Sequence, residues 1–81
     1  MSNIKNRKAA VELEKLIDKK LDNWDERSCF TVKGVKNLSR SDMDTLQLYL
    51  KHFIAFGYFK GLLKPLGSIA EVLKRAGLMD D

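Results

Sequence analysis

The sequence predicts an all-α domain: a small bundle of three to four helices at about 4–23, 40–56, 58–64 and 69–76, with an extended connection at 25–38. Three observations lead there. Apolar residues recur at 100° per residue through two long stretches. Two Ser-x-x-acid pairs, Ser39/Asp42 and Ser68/Glu71, stand just before apolar runs, and Gly57 and Gly77 stand where those runs stop. Between the first two stretches, "DERSCFTVKGVKN" loses the helical period altogether.

In residues 4–23, Ala9, Ala10, Leu13, Leu16, Ile17, Leu21 and Trp24 fall on one face, and charged residues cover most of the rest. Lys20 lies inside the apolar arc, so it is expected at an edge, with its ammonium reaching water along the methylene stem. Ile4 and Val11 lie on the opposite, charged face. In the next run, Phe30, Thr31 and Val32 favour a strand, whereas Gly34 and Asn37 interrupt. A lone strand leaves backbone groups unsatisfied. The simple expectation is an extended connection with Phe30, Val32 and Val35 tucked under the helices; the alternative is pairing with a second copy.

"NLSRSDMD" is the clearest helix start. Ser39 and Asp42 form a capping box, and Leu38 and Met43 a hydrophobic staple. Met43, Leu46, Tyr49, Leu50, Phe53, Ile54 and Phe56 then share a face, so Tyr49, Phe53 and Phe56 are expected in the core. Gly57 breaks the phase and is expected to end the helix in a left-handed conformation, leaving Tyr58 to pack back on Phe53. A short piece, "YFKGLL", must end near Pro65. In the last helix Ser68 and Glu71 form a second capping box, with Gly77 and a Leu78–Leu73 contact closing a Schellman motif.

At 81 residues the chain is expected to form a single domain, 1–81, whose core stabilises by only about 3–5 kcal/mol unaided. One cysteine, Cys29, permits no internal disulfide and no structural zinc; next to Phe30 it is expected to be a small buried residue. No apolar run reaches the length of a secretory signal or a membrane span, so a cytoplasmic setting without membrane contact is expected. The net charge of +4 is unevenly spread. Residues 1–27 carry seven Lys/Arg against six Asp/Glu, and residues 28–79 carry eight against three, a balance that favours anionic partners.

Two DNA-binding geometries bear comparison. "IAEVLKRAGL" resembles the first helix and turn of bacterial repressors of the Lac-repressor family, in Ile69, Val72, Ala76, Gly77 and Leu78. The resemblance spans about ten residues and implies a helix-turn-helix reader. The match departs at Leu73, where that motif has a small residue, and a recognition helix would begin only at Asp81, so a capped helix is the expectation. A ribbon-helix-helix dimer would use "CFTVKGV" as a strand paired across two copies, with Thr31 and Lys33 facing bases. Two helical pieces and a Pro-Leu-Gly turn follow where that motif has two helices.

Catalysis finds no constellation. His52 and Cys29 are single and unrelated in spacing, and no phosphate loop or metal-ligand pattern occurs, so no catalytic residue, metal or cofactor is expected. His52 is expected half buried among aromatics. The expected function is that of a small non-enzymatic interaction protein, a regulator, inhibitor or adaptor docking helical surface on a protein partner. A nucleic-acid-binding regulator using the basic 28–79 part is the alternative. The candidate partner-binding residues are Tyr58, Phe59, Lys60 and Lys64, with Lys51 and His52 one or two turns earlier. Self-association into a homodimer is expected through Leu13, Ile17 and Trp24, or through the extended run 29–33.

Overall fold

The computed structural model of the chain describes residues 2–25, 28–59 and 65–80, the first four of them as backbone only. Its described elements run α1 (Ser2–Asp22), β1 (Phe30–Val32), β2 (Val35–Leu38), α2 (Arg40–Phe56) and α3 (Ser68–Arg75). The domain is thus mainly helical but not all-α. The expected connection at 25–38 contains a two-stranded antiparallel hairpin.

α1 contains neither Gly nor Pro and is rich in Ala, Leu, Lys and Glu, all good helix formers. Its last turn tightens: the Asn23 amide donates to the Lys20 carbonyl, and Asn23 Nδ2 reaches the Lys19 carbonyl at 2.9 Å. Ala10, Leu13 and Ile17 are fully or almost fully buried, whereas Leu16 is at the rim and partly exposed. Lys20 lies at the expected edge, its Nζ 5.4 Å from the Phe30 ring centre. Val11 is half buried rather than free on the charged face.

The hairpin is built from local backbone chemistry. Lys33 and Gly34 join the strands with positive φ at both positions, 51° and 82°, the pattern of a type I′ turn. Val32 pairs with Val35, and Phe30 with Leu38, so β2 holds one residue more than β1 between the pairs. That extra residue makes a bulge, with Asn37 at φ 61°. Without it, Val35 and Leu38 would point to opposite faces of the strand; with it, both are buried. Phe30, Val32 and Val35 do pack on the core, as expected, but from a hairpin whose partner strand lies in the same chain. The partner strand of β1 is thus supplied by the same chain, whereas a ribbon-helix-helix dimer pairs its strand across two copies.

α2 begins as its sequence dictates. Ser39 Oγ accepts from the Asp42 amide at 3.1 Å, and the Asp42 carboxylate accepts from the Ser39 amide at 3.2 Å. α1 and α2 pack antiparallel: Asp18 meets Gln47 at one end, and Arg7 lies over Gly57 at the other. α3 packs on β2 and α2, adding Val72 and Leu73 to the core. Its start differs from expectation. Gly67, not Ser68, is the N-cap and no side chain caps it, so the Ser68/Glu71 capping box does not form. The Glu71 carboxylate instead holds Arg75 at 2.6 Å, and Arg75 Nη1 donates to the Lys33 carbonyl at 3.1 Å, tying α3 to the hairpin turn. The other end does form a Schellman motif: the Leu78 amide reaches the Leu73 carbonyl at 2.9 Å and the Gly77 amide the Lys74 carbonyl at 3.0 Å. The expected helix at 58–64 is not seen at Tyr58 and Phe59, which are non-helical; the remainder, with Lys60 and Lys64, lies outside the described residues.

Candidate functional site

The C-terminal end of α2 sorts the aromatic residues into an inner and an outer layer. Gly57 stops the helix at φ 81°, its amide donating to the Phe53 carbonyl at 2.6 Å. The reversal sends Tyr58 outward and returns Phe59 to the core. Phe59 sits 5.1 Å from Phe53 and 5.8 Å from Tyr49, ring centre to ring centre, the latter edge-to-face. Tyr49 and Phe53 are buried as expected, and it is Phe59, not Tyr58, that covers Phe53.

Phe56 corrects the sequence expectation most sharply. Its helical spacing placed it in the core, but it is 59% exposed. It sits near one edge of the buried arc, and the chain turns away at Gly57, leaving its ring on the surface. Phe56 joins His52 and Tyr58 in an outer triangle, with ring centres 4.7 Å apart for His52–Phe56, 6.2 Å for His52–Tyr58 and 6.5 Å for Phe56–Tyr58. Tyr58 is 51% exposed; His52 is half buried, as expected.

The triangle is one end of a longer surface. Leu48, 57% exposed, lies one turn before His52 and two before Phe56, and Ala55 shares their side of α2. Leu48, His52, Ala55 and Phe56 thus form a stripe at i, i+4, i+7 and i+8 on the side of α2 away from Leu46, Leu50 and Phe53. Leu48 was missed in the sequence reading. Its signal was a large aliphatic residue opposite the core arc, where the other positions are polar apart from the small Ala55. Lys51 is exposed beside the stripe, and the Arg7 guanidinium stands 3.5 Å from where a Cβ on Gly57 would lie.

The residues expected at a self-association face are placed differently. Leu13 and Ile17 are inside this chain's own core under α2. Trp24 is half buried against Phe30, ring centres 5.1 Å apart, with the Arg40 guanidinium 5.8 Å from the indole centre. α1 therefore presents no apolar stripe made of these three residues. Cys29, expected buried, is exposed at the entrance to the hairpin. A shallow groove of about 330 Å³ runs along α3 between Pro65 and Met79, with Glu71 and Lys74 on its wall. The run resembling a repressor motif forms α3 and its Schellman turn, and among the described residues no further helix follows. No helix of the described residues is long and apolar enough to cross a membrane.

No family model, no curated protein and no solved structure matches the chain.

Proposed function

We propose that the chain is a small non-enzymatic interaction protein, a regulator, inhibitor or adaptor, that docks the outer face of α2 on another protein. One observation supports this above the rest: Leu48, Phe56 and Tyr58, three large apolar side chains, are more than half exposed together on one helix and its cap. None of the three is needed to close the core. Apolar residues gathered in one patch, rather than scattered, are characteristic of surfaces that meet a partner. Aromatic anchors of this kind carry most of the energy at protein interfaces. The setting proposed is a reducing compartment such as the cytoplasm, where the exposed Cys29 thiol stays unpaired.

The second reading is a nucleic-acid-binding regulator using the basic residues of 28–79. Exposed rings beside Lys51 support it, since such mixtures stack bases and hold phosphates. The two readings separate by salt. Retention on heparin or a generic duplex must weaken steeply as salt rises, whereas docking through apolar surface holds.

The deciding experiment compares proteins from the native host captured by the immobilised wild-type chain and by a Phe56→Ser, Tyr58→Ser double variant. A specific protein kept by the first and lost by the second is the expected result. Identical capture by both would remove this face from any docking role.

A further inference from the structure

From Leu48 onward, the outer face of α2 lies in a part of the chain without negative charge; the carboxylate one turn before it, Asp44, is paired with Arg40 at 3.6 Å. From Thr45 to Ala70 there is no Asp or Glu, and the charged residues of that stretch are Lys51, Lys60 and Lys64. At the Gly57 end, Arg7 of α1 adds its guanidinium, and the first turn of α1 holds no acidic residue. The positive end of the α1 dipole points the same way. Because α1 and α2 run antiparallel, Asp18, Asp22, Asp25, Asp42 and Asp44 gather at the opposite end of the pair.

Resting on the docking reading above, we infer that the partner segment is an acidic amphipathic helix. Its apolar residues lie along Leu48, Ala55 and Phe56, and its Asp and Glu flanks face Lys51 and Arg7. From Leu48 to Phe56 the stripe rises about 12 Å, two helical turns, which is the length over which a second helix places anchors at i, i+4 and i+7. The small Ala55 between larger neighbours lets such a helix approach. A second copy of this chain fits less well, because antiparallel pairing through this face, centred near His52, brings Lys51 of both copies together. A nucleic-acid strand also fits less well. Lys51 is the one cation along the stripe among the described residues, and Leu48 and Ala55 offer aliphatic surface that neither phosphates nor stacked bases use.

The test uses the full chain and three labelled synthetic peptides about 18 residues long, some five helical turns. Two share one apolar stripe and differ in carrying Glu or Lys elsewhere; the third is a scramble of the acidic peptide. Fluorescence anisotropy is read at low and at physiological salt. The acidic peptide is expected to bind at least about tenfold more tightly than the basic one at low salt, with the difference shrinking as salt rises. Lys51→Glu with Arg7→Glu should remove that preference. Leu48→Ser with Phe56→Ser should abolish binding while leaving the helical circular-dichroism spectrum unchanged, since both side chains are more than half exposed.

Equal binding of acidic and basic peptides, still lost in the Leu48/Phe56 variant, would overturn the acidic partner and leave the docking face standing. Equal binding of the scramble would overturn the helix. Binding unaffected by Leu48→Ser with Phe56→Ser would overturn the face itself. No binding of the acidic peptide at hundreds of micromolar overturns the inference, and the capture experiment then judges the docking reading by itself. Tight binding of a single-stranded oligonucleotide, or a dimer in sedimentation, that the same variant abolishes would assign the face to that occupant instead.

Discussion

Asn37 holds a backbone conformation on which two core side chains depend. At φ 61° it sits in the left-handed region, which Asn tolerates better than any β-branched residue. The bulge it makes turns Leu38 inward beside Val35. Asn37→Gly is expected to keep stability within about 0.5 kcal/mol, whereas Asn37→Val should cost about 1–2 kcal/mol or more, both read from urea midpoints. Gly57 poses the same question at a helix end: Gly57→Ala should cost about 1 kcal/mol or more, because a Cβ is disfavoured at φ 81°. An unchanged or raised melting temperature would show the helix continuing through that position. The neighbouring rings form an internal control. Phe53→Ala removes a buried ring and should cost roughly 3–5 kcal/mol, enough to unfold much of a domain this small. Phe56→Ala, three residues on, should stay within about 0.5 kcal/mol because its ring faces water.

Two serines with the same sequence context have different roles at the scale of the element. Ser39 caps α2 through its own hydroxyl; Ser68 lies inside the first turn of α3, and its would-be acidic partner is engaged by Arg75. Ser39→Ala is therefore expected to lower stability by about 1 kcal/mol, and Ser68→Ala to leave it nearly unchanged. Equal losses from both would mean that Ser68 caps after all. Arg75 joins two elements. The exposed Glu71–Arg75 pair adds only a few tenths of a kcal/mol, as i,i+4 surface pairs do. The bond to the Lys33 carbonyl holds the hairpin turn against α3. Arg75→Ala should cost about 0.5–1.5 kcal/mol and speed amide exchange across Val32–Val35, whereas Glu71→Gln should leave that exchange almost untouched.

Across the whole molecule, the main apolar residues of α1, Ala10, Leu13 and Ile17, are committed to its own chain, while Leu16 stays at the rim. Leu13 and Ile17 meet the core formed by α2, the hairpin and α3, so a substitution there tests folding rather than association. Leu13→Ala is expected to cost about 2–5 kcal/mol and to broaden or abolish the thermal transition. A Leu13→Ala chain that keeps its melting temperature but loses a dimer in sedimentation equilibrium would return that stripe to the surface. An exposed apolar face remains on α2 and its cap, reaching the end where α1 begins and Arg7 stands.

Local spacing by itself determined three of the helix ends and most of the core. A capping box is satisfied within three residues of backbone, and a left-handed glycine or a Schellman turn within six, so Ser39, Gly57 and Gly77 could be read without knowing any long-range contact. The 3.6-residue period likewise identified Leu13, Ile17, Leu46, Leu50 and Phe53 as buried. Tertiary structure decided the rest. Whether 30–38 is a strand pair or a loop depends on a two-residue turn with positive φ and on a bulge, and the core face of β2 follows from that bulge rather than from strict alternation. Whether Phe56 belongs to the core depends on what stands over that edge of α2, and α1 covers the other edge. Periodicity places a side chain on a face, but only the packing of the neighbouring elements decides how wide the buried part of that face is. That is why the place of Phe56 in the outer triangle, and the exposure of Leu48, emerged only from the folded chain.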